Sequence, residues 1–271
     1  MKKIIFSWLC CWVIFYTQAQ TDPLTQVHGA KSQGLGNLRV QGLDIWSVFN
    51  NIGALDRLEH GGIAVGFDQR YNLKELNTYN LAAATKTSRG TLGLSISRFG
   101  GKLFNQQTVG LGFSNTLGIT SIGVKMEWFQ TQIEGFGSSG TPVISLGGIS
   151  ELSPDFFIGA HITNLGRSKI SKLSESRLPT AIQLGVRYRP APSVNLYGEV
   201  EKDILQDPVI KVGVAYNFQK WLHLRTGINS NPSKLFFGFG LLHENFAFDY
   251  SRGQNQALGS TNHFSLSYLF R

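Results

Sequence analysis

Glu199 and Glu201 lie two residues apart, a spacing that puts both carboxylates on one face of a strand. Two carboxylates on one face could share acid–base work. A second role fits the same residues. The polar stretch 203–207 turns the chain back antiparallel and sets Glu199 near Lys211, while Arg187 lies on the other neighbouring strand. Opposite charges placed this way neutralise a polar interior, where an isolated carboxylate would be costly. His161, His223, His243 and His263 fall on four separate strands or turns, and His243-Glu244 lacks the second histidine of a zinc-binding helix. No Ser–His–Asp set follows from spacing. Gly34-Leu-Gly36 and Gly110-Leu-Gly112 lack the rest of a nucleotide-binding loop. The expectation is a protein that is not an enzyme and uses no cofactor or metal.

The elements that position these residues are strands. In His263-Phe-Ser-Leu-Ser-Tyr-Leu-Phe-Arg271, Phe264, Leu266, Tyr268 and Phe270 share one face, and Ser265 and Ser267 the other. The same two-residue period, broken by turn residues, predicts strands at 61–71, 78–88, 90–99, 105–115, 118–131, 139–150, 155–163, 179–189, 193–202, 208–218, 220–229, 233–242, 244–252 and 261–271. Fourteen is an even number, as a bacterial transmembrane barrel requires. The fold expected is therefore all-β: a 14-stranded antiparallel transmembrane β-barrel over 61–271, preceded by a segment at 20–60 that is not barrel strand.

Loop lengths and residue types agree with a barrel. With the N-terminus in the periplasm, even-numbered connections such as 88–90, 115–118, 189–193 and 242–245 are short. The odd-numbered ones at 133–140, 164–179 and 252–262 are longer. Phe156, Tyr188, Tyr216, Phe218, Trp221, Tyr268 and Phe270 fall near one set of strand ends, and Tyr71, Tyr79, Phe99, Trp128 and Tyr250 near the other, as two aromatic girdles would. Between them runs an aliphatic band, for example Leu92, Leu94 and Ile96, or Ile210, Val212 and Val214. Phe237 and Phe239 are placed to pair with Phe248 and Phe246. The opposite face carries a charge network of Lys125, Glu127, Arg187, Glu199, Glu201, Lys211, Arg225 and Asp249. Lys or Arg facing lipid at mid-depth costs about 2–4 kcal/mol, so this face belongs to the lumen.

Residues 1–19 read as a signal peptide: Lys2 and Lys3, an apolar run from Ile4 to Tyr16, and small residues at Thr17 and Ala19. Cleavage there removes both cysteines, Cys10 and Cys11. It also takes 25 basic residues to 23 against 17 acidic ones, so a net charge of +8 becomes +6. Beyond it no apolar run reaches the length of a membrane-spanning helix. The expected location is the bacterial outer membrane, with membrane lipid and lipopolysaccharide as partners and no nucleic acid. The 164–179 connection, with Arg167, Lys169, Lys172 and Arg177 against Glu175, reads as a solvated loop within reach of lipopolysaccharide phosphates.

The pre-barrel segment contains Gly29-Ala30-Lys-Ser32-Gln-Gly34-Leu-Gly36-Asn, then Asp44-Ile-Trp46-Ser47-Val-Phe49-Asn50-Asn-Ile-Gly53-Ala-Leu. This pattern resembles the start of the PorV/PorQ-type outer-membrane proteins of Bacteroidota, themselves similar to FadL-type transporters of hydrophobic compounds. Asn51-Ile52 stands where that family usually has Pro-Ala. The resemblance implies that residues 20–60 fold into the barrel as a hatch. A wide barrel leaves space that wall side chains alone do not fill, and Leu43, Ile45, Trp46, Val48, Phe49, Ile52 and Leu55 need burial. It also implies an accessory or partner-binding role linked to type IX secretion, with secretion-system or other envelope proteins as partners. The alternative is passive transport of hydrophobic small molecules, as FadL-type relatives imply. Short predicted loops and a charged lumen favour the first.

Overall fold

The computed structural model describes residues 24–170, 176–255 and 258–270. The signal sequence expected at 1–19, and Lys172 and Glu175 of the long connection, lie outside them. Fourteen strands form one closed barrel in which each pairs with its sequence neighbours and the last returns to the first. They are β1 (Gly62–Arg70), β2 (Leu73–Thr87), β3 (Gly90–Gly100), β4 (Phe104–Leu117), β5 (Thr120–Ile133), β6 (Gly137–Ser153), β7 (Phe156–Thr163), β8 (Ala181–Ala191), β9 (Val194–Asp203), β10 (Val209–Gln219), β11 (Leu222–Ser230), β12 (Ser233–His243), β13 (Phe246–Asn255) and β14 (Gly259–Leu269). Closure runs antiparallel from Gly62 opposite Leu269 to Arg70 opposite Thr261. It leaves no sheet edge unpaired, the condition for crossing hydrocarbon with strands.

Alternation decides the two faces. In β3, Thr91, Ser95 and Ser97 are buried while Leu92 and Ile96 are exposed. In β5, Lys125 and Glu127 are buried while Val124, Met126 and Trp128 are exposed. On a water-soluble protein so much exposed apolar surface would mark a large docking patch. Around a cylinder it is the face that lipid covers.

The connections after even-numbered strands, 88–89, 118–119, 154–155, 192–193, 220–221 and 244–245, are all two-residue turns. Such turns call for positive φ, which Gly118 (61°) and Glu244 (49°) supply. At the other end connections run from two residues, 71–72 and 231–232, to the seventeen of 164–180. We call these the turn end and the loop end. Two of the three connections expected to be long are short. β5 and β6 continue to Ile133 and from Gly137, leaving only 134–136 between them, and β13 and β14 continue to Asn255 and from Gly259, leaving only 256–258; β2 also begins at Leu73 rather than 78. Polar, glycine-rich residues there read as loop, although ladder pairing accepts them at a strand end. The long connection folds back on itself: Asn164 Nδ2 donates to the carbonyls of Leu178 (2.9 Å) and Pro179 (3.2 Å), and Leu178 packs with Leu24, Phe129 and Val143.

Two aromatic expectations change. Phe99 is inward and buried, because β3 keeps its parity to Gly100 and presents Arg98 outward instead. Phe237 faces Arg252, and Phe239 faces Tyr250. The two-residue turn at 244–245 sets that register, and the ring contacts become Phe239 with Tyr250 (5.6 Å) and Phe248 (6.4 Å). A charge on the lipid face tests the assignment of faces. Val212→Arg is expected to lower stability in bilayers by about 2–4 kcal/mol, read from denaturant unfolding of the vesicle-embedded barrel.

Candidate functional site: the lumen and the segment within it

Residues 24–58 pack against the inward faces of the strands. The segment starts at the loop end, where Leu24 meets Phe129 and Leu178, and finishes at the turn end, where Leu58 joins a cluster with Ala64 and Ala84. It contains two short helices, α1 (Ala30–Gly34) and α2 (Ser47–Asn50), and a 3-10 helix, Ile52–Arg57. The wall admits it because glycines face it in cross-strand pairs: Gly93 with Gly112, Gly123 with Gly147, Gly159 with Gly185, and Gly213 with Gly227. A Cβ on Gly227 would run into the Leu35 carbonyl and the Gly36 nitrogen, and one on Gly147 would lie 3.0 Å from the Gly53 nitrogen. Glycine weakens a strand interior; here it lets backbone approach backbone. Ile45, Trp46, Val48, Phe49, Ile52 and Leu55 then form the main apolar cluster with Ala64, Ala82 and Ala84. Fully burying one such large side chain contributes about 1.5–3 kcal/mol.

Polar ties supplement the packing. Asp68 on β1 accepts from Gln26 (3.2 Å) and Gln33 (3.0 Å) of the segment and from Asn80 (2.9 Å) of β2, and meets His263 Nδ1 at 2.8 Å. The other nitrogen of His263 lies 3.0 Å from the Thr261 hydroxyl. Glu199 Oε2 accepts the backbone N–H groups of Arg39 (2.7 Å) and Val40 (2.8 Å), while its Oε1 binds Lys211 at 3.1 Å. Arg39 Nη1 donates to Thr163 (3.0 Å), and its Nη2 donates to the carbonyls of Leu24 (2.9 Å) and Gln26 (3.1 Å). Arg57 bridges to Glu151 at 3.0 Å and to the Ser121 hydroxyl at 2.7 Å.

The motif residues sit inside this packing. Gly29, at φ 87°, lies against the Trp46 ring. The Ala30 N–H donates to Ser265 (3.2 Å), and Gly34 packs on Ser251 and Gly238. Ser32 is buried on α1, and Gly36, at φ 88°, approaches the Ile228 backbone. Asp44 accepts from the Trp46 N–H (3.0 Å) and pairs with Lys31 (3.3 Å), and Ser47 donates to the Gly42 carbonyl (2.8 Å). Asn50 Nδ2 donates to the His28 carbonyl (2.7 Å), and Phe49 lies 4.2 Å from the His28 ring. Gly53 abuts Gly147 and Gly148. At the position where the resembled pattern has proline, Asn51 donates its backbone N–H to Ser47 (3.0 Å) and its side-chain amide to Val40 (2.9 Å) and Gly148 (3.1 Å). Proline could make none of these bonds.

The charged residues form three separate groups rather than one network. Lys125 pairs with Glu127 at 3.0 Å; Lys211 with Glu199 and with Glu201 at 2.8 Å; and Arg225 with Asp249. Arg187 does not join Glu199. It points toward the turn end and lies 4.0 Å from the Phe157 ring centroid. Asp68 and Arg39 were not singled out from sequence, and His263 was weighed only as one of four scattered histidines, although inward parity on β1 marks Asp68 as lumenal.

Among the described residues, cavities open on either side of the segment. At the loop end a polar cavity of about 110 Å³ lies between Gln26, Gln33, Arg70, Asn229, Lys234 and His263. At the turn end a cavity of about 370 Å³ has Leu43, Ile45, Trp46, Leu58, Leu241, Leu242 and Leu269 among its walls, with Lys31, Arg57, His223 and Arg225 at its polar side.

No protein-family model and no curated protein matches the chain. Solved structures do. The chain is similar to the CymD monoaromatic hydrocarbon channel (13% identity, TM-score 0.71, covering 93% of this chain and 99% of that one). It is also similar to the Ralstonia pickettii toluene transporter TbuX (11%, 0.68, 92% and 100%) and to a Pseudomonas aeruginosa FadL homologue (13%, 0.58, 90% and 98%). At these identities the likeness is one of fold, the FadL-like barrel. These neighbours bear out the FadL-like barrel but give no support to the PorV/PorQ-type assignment, and they overturn the type IX secretion role expected from the N-terminal pattern in favour of the FadL-like alternative. The structure gives a physical reason. Gly29, Ala30, Ser32, Gly34, Gly36, Trp46, Ser47, Phe49, Asn50 and Gly53 are buried against the barrel's own wall, so the pattern describes how a segment seats in a barrel.

His28 ties the seating to pH. Burial lowers its pKa from 6.5 to about 3; nearby Asp68 opposes the shift, and Arg39, Lys125 and Arg70 add to it. Above pH 6.5 this contribution to stability is fully present. Between 6.5 and 3 the unfolded chain takes up a proton that the folded one does not, so stability falls by about 1.4 kcal/mol per pH unit. Amide-exchange protection across 24–58 is expected to weaken as pH falls below 6.5, and His28→Phe to flatten that slope. An unchanged slope in the variant would assign it to other groups.

Proposed function

We propose that this chain is a passive outer-membrane channel for small hydrophobic molecules, with the loop end outside, the turn end facing the periplasm and residues 24–58 acting as its hatch. The observation that carries this reading is the turn-end cavity. A dry apolar cavity of about 150 Å³ binds benzene; this one, at about 370 Å³, has room for a single aromatic ring against its leucine, isoleucine and tryptophan side, with charged residues such as Arg57, Glu59, Arg225 and Asp249 on the other. The fold shared with a monoaromatic hydrocarbon channel and a toluene transporter points to the same ligand size. The charged lumen, which had argued against such cargo, is largely self-neutralised: Lys125, Lys211 and Arg225 all have carboxylate partners. A molecule moving between the two cavities has to displace the segment, whose polar ties can exchange for water. No step in this role needs catalysis.

The test is direct. Toluene added to the purified barrel in detergent is expected to quench tryptophan fluorescence saturably, since Trp46 lines the cavity. Proteoliposomes holding the barrel should take up labelled toluene faster than empty ones. Leu242→Glu, at the half-exposed rim of the cavity, should weaken binding roughly tenfold or more by burying a charge beside the ligand, with the unfolding midpoint nearly unchanged. Uptake no faster than into empty vesicles would sink the reading.

A further inference from the structure

At the loop end, two positive charges face the lumen without an ion pair among the described residues. Arg70 closes β1 and Lys234 is the second residue of β12. Strand parity points both inward, and both line the 110 Å³ cavity. The acids around them are engaged. Asp68 receives Gln26, Gln33, Asn80 and His263, and Glu201 holds Lys211 at 2.8 Å. Among the described residues, neither the Arg70 nor the Lys234 side chain forms a hydrogen bond or an ion pair, although the Asp68 charge lies near enough to act on Arg70. Asn229, only 7% exposed, reaches the same cavity, and its side-chain oxygen is buried without a hydrogen-bond partner. Two like charges beside an unsatisfied buried amide destabilise a folded protein unless something satisfies them.

We propose that the loop-end cavity binds a phosphate group, clamped between Arg70 and Lys234 with the Asn229 and Asn231 amides and the Tyr71 hydroxyl completing its hydrogen bonds. A guanidinium fork matches two phosphate oxygens, and an ammonium meets a third as a point charge. An amide turned about its last side-chain bond presents its NH₂ in place of its oxygen. Burial raises the pKa of Tyr71, which keeps its phenol protonated and able to donate. The lining is polar, and the volume suits one tetrahedral anion rather than an aromatic ring. This distinguishes it from the turn-end cavity, and the inference does not rest on the transport reading. The phosphate could be free in solution or carried on a lipopolysaccharide headgroup at the mouth.

The experiment is titration calorimetry on the full barrel in a zwitterionic detergent, first with inorganic phosphate and then with micelles of phosphorylated and of dephosphorylated lipid A. Saturable heat with inorganic phosphate, weakened about tenfold or more in Arg70→Gln and in Lys234→Gln, supports the site with free phosphate as its ligand. Heat with phosphorylated lipid A alone, equally sensitive to both substitutions, supports it with the headgroup as the source. Lys234→Met serves as a second variant, and heat-modifiable gel migration confirms that each barrel is folded. Absence of binding by either source, or binding that survives both substitutions unchanged, overturns the proposal.

Discussion

In hydrocarbon no water is available to the backbone, so every strand has to find its hydrogen bonds in another strand. The ring from β1 to β14 is the consequence, and the rest of the molecule follows from it. Closing fourteen strands makes a cylinder wider than wall side chains can fill. That space has to hold water or chain. Here it holds residues 24–58, and the wall is adapted to them: where the segment's backbone approaches, at Leu35–Gly36 and at Gly53, the facing positions are glycine.

A lumen filled in this way is fastened in two manners. The apolar cluster around Trp46 and Ile52 is held as a core is held, by area removed from water. The carboxylates Asp68 and Glu199 hold the segment differently, because each bonds to the wall and to the segment at once. Glu199 grips two successive backbone N–H groups of the segment with one oxygen and Lys211 of the wall with the other. Burying that charge is favourable only while all its partners are present. The segment is therefore stable when fully seated and loses much when partly lifted, which favours two discrete arrangements over a graded one.

Strand number, strand faces and most turn positions were legible from alternation, since a period of two leaves one reading wherever one face is buried. Register was less legible. Phe237 and Phe239 were matched to the wrong partners because the turn is centred at 244–245, two residues further along the chain than that pairing requires. Loop length failed at 133–140 because polar residues can sit in a ladder that extends beyond the membrane. In the lumen, Glu199 beside Lys211 could be read from strand order, whereas Asp68 with Gln26, Gln33 and His263 could not, as that contact joins residues up to 195 positions apart.

Inward charges need not argue against hydrophobic cargo. A row of Lys, Arg, Asp and Glu on inward parity suggests a polar pore, yet counting charges says nothing about how they are spent. Lys125 is closed off by Glu127, Lys211 by two glutamates and Arg225 by Asp249. With those groups satisfied, the surface left open at the turn end includes the leucines and the tryptophan that the segment brings with it. At the loop end Arg70 and Lys234 have no ion pair among the described residues. The two ends of one lumen therefore differ in chemistry: unpaired cations and amides line the loop end, while the turn end sets leucines and a tryptophan beside charges that are largely paired with one another.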